Sequence, residues 1–159
     1  MAARVIHFGC DDCYRIEVLR SAGFEVRESQ SIADLGIDLQ RDDGLDAVFM
    51  SEDLGHDLEQ AAEVARQYTQ APLVVFRRSS EPIDISKFDK VYSSLVPPWI
   101  WLRETAALIE QSRALRKESA RLRHETQDVV MQSRGQRARS RAELMRNARP
   151  RTPASDPAS

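Results

Sequence analysis

Asp46-Ala47-Val48-Phe49-Met50 and Ala71-Pro72-Leu73-Val74-Val75-Phe76 are two nearly continuous apolar runs in an otherwise strongly polar chain. Continuous runs of this kind suit parallel strands buried on both faces, because an exposed face would impose a polar residue at every second position. Three further β-rich runs flank them, Arg4–Phe8, Phe24–Glu28 and Asp89–Ser93, so that five strands begin 17 to 26 residues apart. Helical patterns fill the gaps. Asp12–Ala22 puts Cys13, Ile16 and Leu19 on one face and stops at Gly23, a suitable C-terminal cap. Ser31 followed by Asp34 has capping-box spacing ahead of Ile32, Leu35 and Leu39. Leu58–Tyr68 offers Ala61, Ala62, Ala65 and Tyr68 for packing, and Arg77–Phe88, interrupted by Pro82, leaves room for one or two turns. A longer helical pattern begins at Trp101. Strand–helix alternation at this spacing predicts an α/β fold: a flavodoxin-like, doubly wound, five-stranded parallel sheet in the order 2-1-3-4-5, with an extended C-terminal helix. Its site is expected where strands 1, 3 and 4 end.

Charge divides the chain in two. Residues 1–100 carry 10 basic against 18 acidic side chains, and residues 101–159 carry 13 against 7, so the overall charge of −2 joins an acidic body to a basic extension. The expected division is a globular unit over 1–112, a helical, coiled-coil extension over 113–134, and a basic, proline-containing, disordered tail over 135–159. No stretch approaches the roughly 18 uninterrupted apolar residues of a spanning helix. The N-terminus lacks the pattern of a secretory signal, and two cysteines make no disulfide framework, so a cytoplasmic location is expected.

The runs quoted above, together with Val18-Leu19-Arg20-Ser21-Ala22-Gly23-Phe24-Glu25-Val26, resemble the receiver domain of bacterial two-component response regulators over roughly residues 4–112. That resemblance implies the same fold. It also implies phosphoryl transfer from a histidine kinase to an aspartate after strand three, with a Mg²⁺-binding acid pair after strand one, a hydroxyl after strand four and a lysine after strand five. At the matching positions this chain carries other residues. Ser51 stands in the acceptor position, Arg77 in the hydroxyl position and Ser93 in the lysine position. The acid pair falls on Gly9-Cys10 or, with a slip, on Asp11-Asp12. The resemblance therefore implies a pseudo-receiver without catalytic residues, metal or cofactor, acting through protein partners such as a sensor kinase. A displaced acceptor at Asp53 is the alternative.

Three other features bear on function. Cys10-Asp11-Asp12-Cys13 is a C-x-x-C at a strand–helix junction, but the two aspartates oppose a thiolate, and Cys13 is expected in the core. A zinc site would need two more ligands, with His7 and His56 as poor candidates. Arg77-Arg78 is placed to neutralise Asp11, Asp12 or Asp53, or else is solvated. Pro97-Pro98-Trp99-Ile100-Trp101 reads as a rigid helix entry with its tryptophans packed on the body.

Beyond it, Trp101, Leu108, Leu115, Leu122 and Val129 recur every seven residues, with small polar companions at Thr105, Ser112, Ser119, Thr126 and Ser133. This is half a coiled-coil seam and favours a weak, parallel homodimer over a solvated single helix. The arginines past Ser133 have no interleaved aromatics and no DNA-binding motif spacing, which leaves a nucleic-acid adaptor as a third possibility and argues against specific recognition.

Overall fold

A computed structural model describes residues 2–42, 44–52 and 57–147. The elements run β1 (Arg4–Phe8), α1 (Arg15–Ser21), β2 (Glu25–Ser29), α2 (Ile32–Arg41), β3 (Ala47–Ser51), α3 (Leu58–Tyr68), β4 (Leu73–Arg77), a single 3₁₀ turn (Ile85–Lys87), β5 (Lys90–Ser93) and α4 (Pro98–Asn147). All strand pairings are parallel, in the order β2-β1-β3-β4-β5. This is the doubly wound, flavodoxin-like sheet with a long C-terminal helix that the strand spacing predicts. The chain crosses between β2 and β3 from one side of β1 to the other, which opens a crevice where the central strands end.

Alternation along the strands sends side chains to two cores. Ile6, Phe8, Val48, Met50, Leu73 and Val75 meet Leu35 and Leu39 of α2 and the alanine face of α3, Ala61, Ala62 and Ala65. Val5, Ala47, Phe49, Val74, Phe76 and Tyr92 meet Leu19 of α1 and Trp101 and Ile109 of α4. On this second face Trp101 stands edge-on to Phe49 and Phe76, at 6.0 and 5.4 Å between centroids.

Local chemistry sets the helix ends. Ser31 accepts the Asp34 amide at the start of α2, and Asp57 accepts the Glu59 and Gln60 amides at the start of α3. α1 closes with a Schellman motif: Gly23 adopts φ +87, its amide bonds the Arg20 carbonyl, and the Phe24 amide bonds that of Leu19. Pro98 occupies the first position of α4, where a missing N–H costs nothing, so the helix starts three residues before Trp101.

Four expectations are corrected here. α1 begins at Arg15, not Asp12, because its first amides are capped from upstream. Tyr68 is exposed, since the α3 face is filled by alanines close enough to the sheet to need nothing larger. Of the two tryptophans only Trp101 packs on the body, and Trp99 is 64% exposed. The helix also continues to Asn147, so residues 135–147, expected as disordered tail, are helical. Gly135 costs about 1 kcal/mol relative to alanine, but the Arg, Gln, Ala, Glu, Leu and Met around it are strong helix formers. The tail from residue 148 onward lies outside the described residues. Packing divides the chain after Leu115. In the second unit every described residue from Lys117 to Asn147 is exposed.

Candidate functional site

The ends of β1, β3, β4 and β5 gather the residues singled out in the sequence. Gly9 follows β1 and lies against Ser51, the last residue of β3. It takes φ +91, and a Cβ there would come within 2.7 Å of the Ser51 carbonyl oxygen, so only glycine fits. Asp11 accepts the backbone amides of Arg15 and Ile16 at 2.7 and 2.9 Å. It thereby caps α1 across an entry turn in which Tyr14 holds the left-handed conformation, φ 54.

Arg15 reaches the centre of the site. It is 4% exposed, its Nη1 donates to Ser51 Oγ at 3.3 Å and its Nη2 to the Ser94 carbonyl at 3.1 Å. Its guanidinium carbon lies 4.2 Å from the centroid of the Phe76 ring, a cation–π contact in desolvated surroundings. Burial lowers the Arg15 pKa, opposed by its neighbours Cys13 and Asp11. Ser51 Oγ in turn lies 3.1 Å from His7 Nε2, with both residues buried. With Arg15 as donor, the Ser51 hydroxyl is free to donate to His7 Nε2. Burial drives the His7 pKa down to about 4, with Asp11 and Glu28 pulling upward and Arg15 downward, so the imidazole is neutral at pH 7. Its Nδ1 is buried without a partner.

A second set of contacts holds the neighbouring loops. Glu52 accepts the Arg78 amide at 2.5 Å, the Ser79 amide at 2.7 Å, the Ser79 hydroxyl at 2.6 Å and Arg77 Nη2 at 3.1 Å. Partial burial opposes its ionisation, but these donors outweigh it and hold the carboxyl at about 2. Arg77 also donates to the Glu81 carbonyl. Arg78 pairs with Asp12 at 2.6 Å, and the Cys10 thiol donates to the other Asp12 oxygen at 2.7 Å. The Cys10 thiol and then Arg78 lower the Asp12 pKa. Beside these loops lies a cleft of about 470 Å³ lined in part by Asp12, Glu52, Arg78 and Ser79.

Of the sequence candidates, Ser51, Asp11 and the Ser93-Ser94 segment therefore converge on Arg15, while Cys10, Asp12 and Arg77 belong to the loop set. Ser93 ends β5 with its side chain exposed, where its Oγ accepts the Leu95 amide. Arg78 neutralises Asp12 as anticipated for the arginine pair, whereas Arg77 turns to Glu52. Cys13, expected in the core, is exposed because the helix begins two residues after it. Asp53 and His56 lie outside the described residues. Sequence reasoning missed Arg15 and the partnership of His7 with Ser51. The available signal was parity: His7 shares its strand face with Val5, and Ser51 shares its face with Ala47 and Phe49.

A divalent cation does not fit these residues. A carboxylate cannot occupy position 9, both oxygens of Asp11 are engaged by helix amides, both of Asp12 by Cys10 and Arg78, and a guanidinium stands beside Ser51. Among the described residues no three His, Cys, Asp or Glu side chains are grouped to hold a metal.

No protein-family model matches the chain, and comparison with curated proteins gives no match. Solved structures do match. A response regulator receiver protein from Sinorhizobium medicae aligns with TM-score 0.58 and 17% identity over 70% of this chain and 97% of its own. A structure described as adenylate cyclase from Rhodopirellula baltica aligns with TM-score 0.66 and 13% identity over 77% and 98%. A yeast Spc42 trimeric coiled-coil segment in a fusion aligns with TM-score 0.56 and 16% identity over 92% and 95%. Other matches include receiver domains of sensor histidine kinases, N-terminal domains of response regulators and a Vibrio cholerae chemotaxis protein. At these identities what is shared is the fold, and that fold is the receiver fold. Among the described residues no helix is long and apolar enough to cross a membrane.

Proposed function

We propose that this chain is a non-catalytic, cytoplasmic pseudo-receiver: a two-component-type signalling or scaffold module that works through protein contacts and through self-association along α4. The observation that carries this reading is the position of the Arg15 guanidinium, bonded to Ser51 Oγ and the Ser94 carbonyl. Phosphoryl transfer to a receiver requires a carboxylate nucleophile, a metal to neutralise the equatorial oxygens and a lysine to complete that neutralisation. Here a hydroxyl stands at the end of β3, its hydrogen-bonding capacity is engaged by Arg15 and His7, and among the described residues the nearby carboxylates serve as a helix cap and in ion pairs. An internal cation bonded to Ser51 and the Ser94 carbonyl suits a domain held in one state, whose partners recognise its surface and not a phosphorylated form of it. Those partners are signalling proteins, a sensor kinase among them.

Incubating the full chain with Mg²⁺ and acetyl phosphate, then measuring intact mass, tests the proposal. An unmodified mass is expected, and beryllofluoride with Mg²⁺ should leave the amide NMR spectrum unchanged. A base-labile phosphoryl adduct mapping to Asp53 would overturn it in favour of a displaced acceptor.

A further inference from the structure

We infer that residues 112–133 of α4 pair with the same segment of a second copy of this chain, parallel and in register. The inference rests on the self-association proposed above and deepens it by assigning the partner, its direction and the side chains that select it.

Three apolar side chains at seven-residue spacing, Leu115, Leu122 and Val129, are 63%, 49% and 62% exposed on this helix. The two earlier members of the register, Trp101 and Leu108, pack against the aromatic face of the sheet, so the available seam begins at Leu115. Each leucine follows a small hydroxyl residue by three positions and precedes the next by four. The leucines and Val129 are therefore d positions, and Ser112, Ser119, Thr126 and Ser133 are a positions. Short a side chains let two helices approach closely. Three helices would enclose unfilled space at each serine layer, losing the contacts that stabilise a core.

The flanking positions decide direction. Glu118 and Glu125 fall at g, and Arg116, Arg123 and Arg137 at e. In a parallel pair each g residue meets the e residue five positions further along the partner, which sets Glu118 against Arg123 of the second copy. None of the parallel g–e meetings from Gln111 to Arg137 joins like charges. An antiparallel pair would bring g to g and e to e, acid against acid and arginine against arginine. Arg123 is available for this role: its Nε donates to the Ser119 carbonyl of its own helix, and it forms no ion pair among the described residues. Glu118 bonds Arg121 of its own helix through both carboxylate oxygens, at 2.6 and 3.1 Å, so meeting the partner's Arg123 requires that it share or exchange that surface pair.

The test is sedimentation equilibrium of the full chain under reducing conditions, with far-UV circular dichroism to establish that each variant stays helical. The wild type is expected to be a reversible dimer, and Leu122→Glu a monomer. Arg123→Glu and Glu118→Arg should each weaken the dimer roughly five- to tenfold, and the double exchange should restore most of the loss. A chain that stays monomeric at all concentrations, or that associates equally well with Leu122→Glu, overturns the coil reading itself. Association abolished by Leu122→Glu but strengthened by Arg123→Glu overturns only the parallel direction, and a trimer mass overturns the two-copy assignment.

Discussion

The two faces of the sheet solve the same packing problem with different materials. Toward α2 and α3 the chain uses mainly aliphatic side chains, with Phe8 and Phe88, and an alanine-lined helix, and the polar side chain buried there is the small hydroxyl of Ser29, which donates to Asp38 of α2. Toward α1 and α4 it uses Phe49, Phe76, Tyr92 and Trp101, and at the carboxyl end of that face it buries an arginine, a serine and a histidine. The difference teaches where this fold tolerates a buried cation. Aromatic rings supply a surface on which a guanidinium can be desolvated, and an aliphatic wall does not.

Four measurements would break or sharpen that contrast. Trp101→Ala should be the most damaging, at about 4 kcal/mol in urea unfolding, against about 3 kcal/mol for Leu35→Ala on the aliphatic face. The margin comes from the edge-on contacts with Phe49 and Phe76. Equal losses would show that the two faces are energetically alike. Next, Arg15→Met keeps the volume but removes the bonds to Ser51 and Ser94, and should cost about 2 kcal/mol. Arg15→Lys should not recover it, because one ammonium cannot bond both oxygens while lying flat on Phe76. A lysine variant as stable as the wild type would mean that charge alone matters. Asp11→Ala should cost about 1 kcal/mol through the lost cap, seen as faster hydrogen exchange at the Arg15 and Ile16 amides.

The last effect concerns pH. His7 has a folded pKa near 4 against 6.5 when free, so as pH falls below 6.5 the unfolded chain takes up a proton that the folded chain refuses. The stability its neutral burial permits is complete above pH 6.5 and is lost as pH falls toward 4. Urea midpoints at pH 7 and 5 should therefore differ less in His7→Gln than in the wild type. An unchanged difference would place the titration elsewhere.

Much of the architecture was legible because buried parallel strands leave no room for polar alternation. Ala47–Met50 and Leu73–Phe76 could be little else, and with helical periods between them the sheet order followed. β2 and β3 begin and end one residue later than their sequence runs, and β4 ends one residue later, because the polar last residues Ser29, Ser51 and Arg77 continue the pairing without continuing the apolar pattern. The site was less legible for a physical reason. An arginine in the first turn of a helix ordinarily points to water, and nothing local to Arg15 reports the aromatic ring and the distant carbonyl that hold it. The start of α1 was hidden likewise, because its cap, Asp11, acts from four residues upstream. Position 51 was different: counting along a strand places its last residue whatever that residue is. The end of α4 was obscured by Gly135 and by the density of arginines, which resemble a tail in composition although they favour a helix.

Gly9 limits what could be built into this crevice. Exchanging Ser51 for aspartate takes one substitution, but supplying a second carboxylate at position 9 does not. Its backbone lies where an L side chain is strained, and its Cβ would run into the Ser51 carbonyl. Placing that acid would require rebuilding the turn between β1 and α1 and displacing Arg15 from Ser51, several coordinated changes. The glycine thus fixes the width of the crevice at this point, leaving room there for backbone alone.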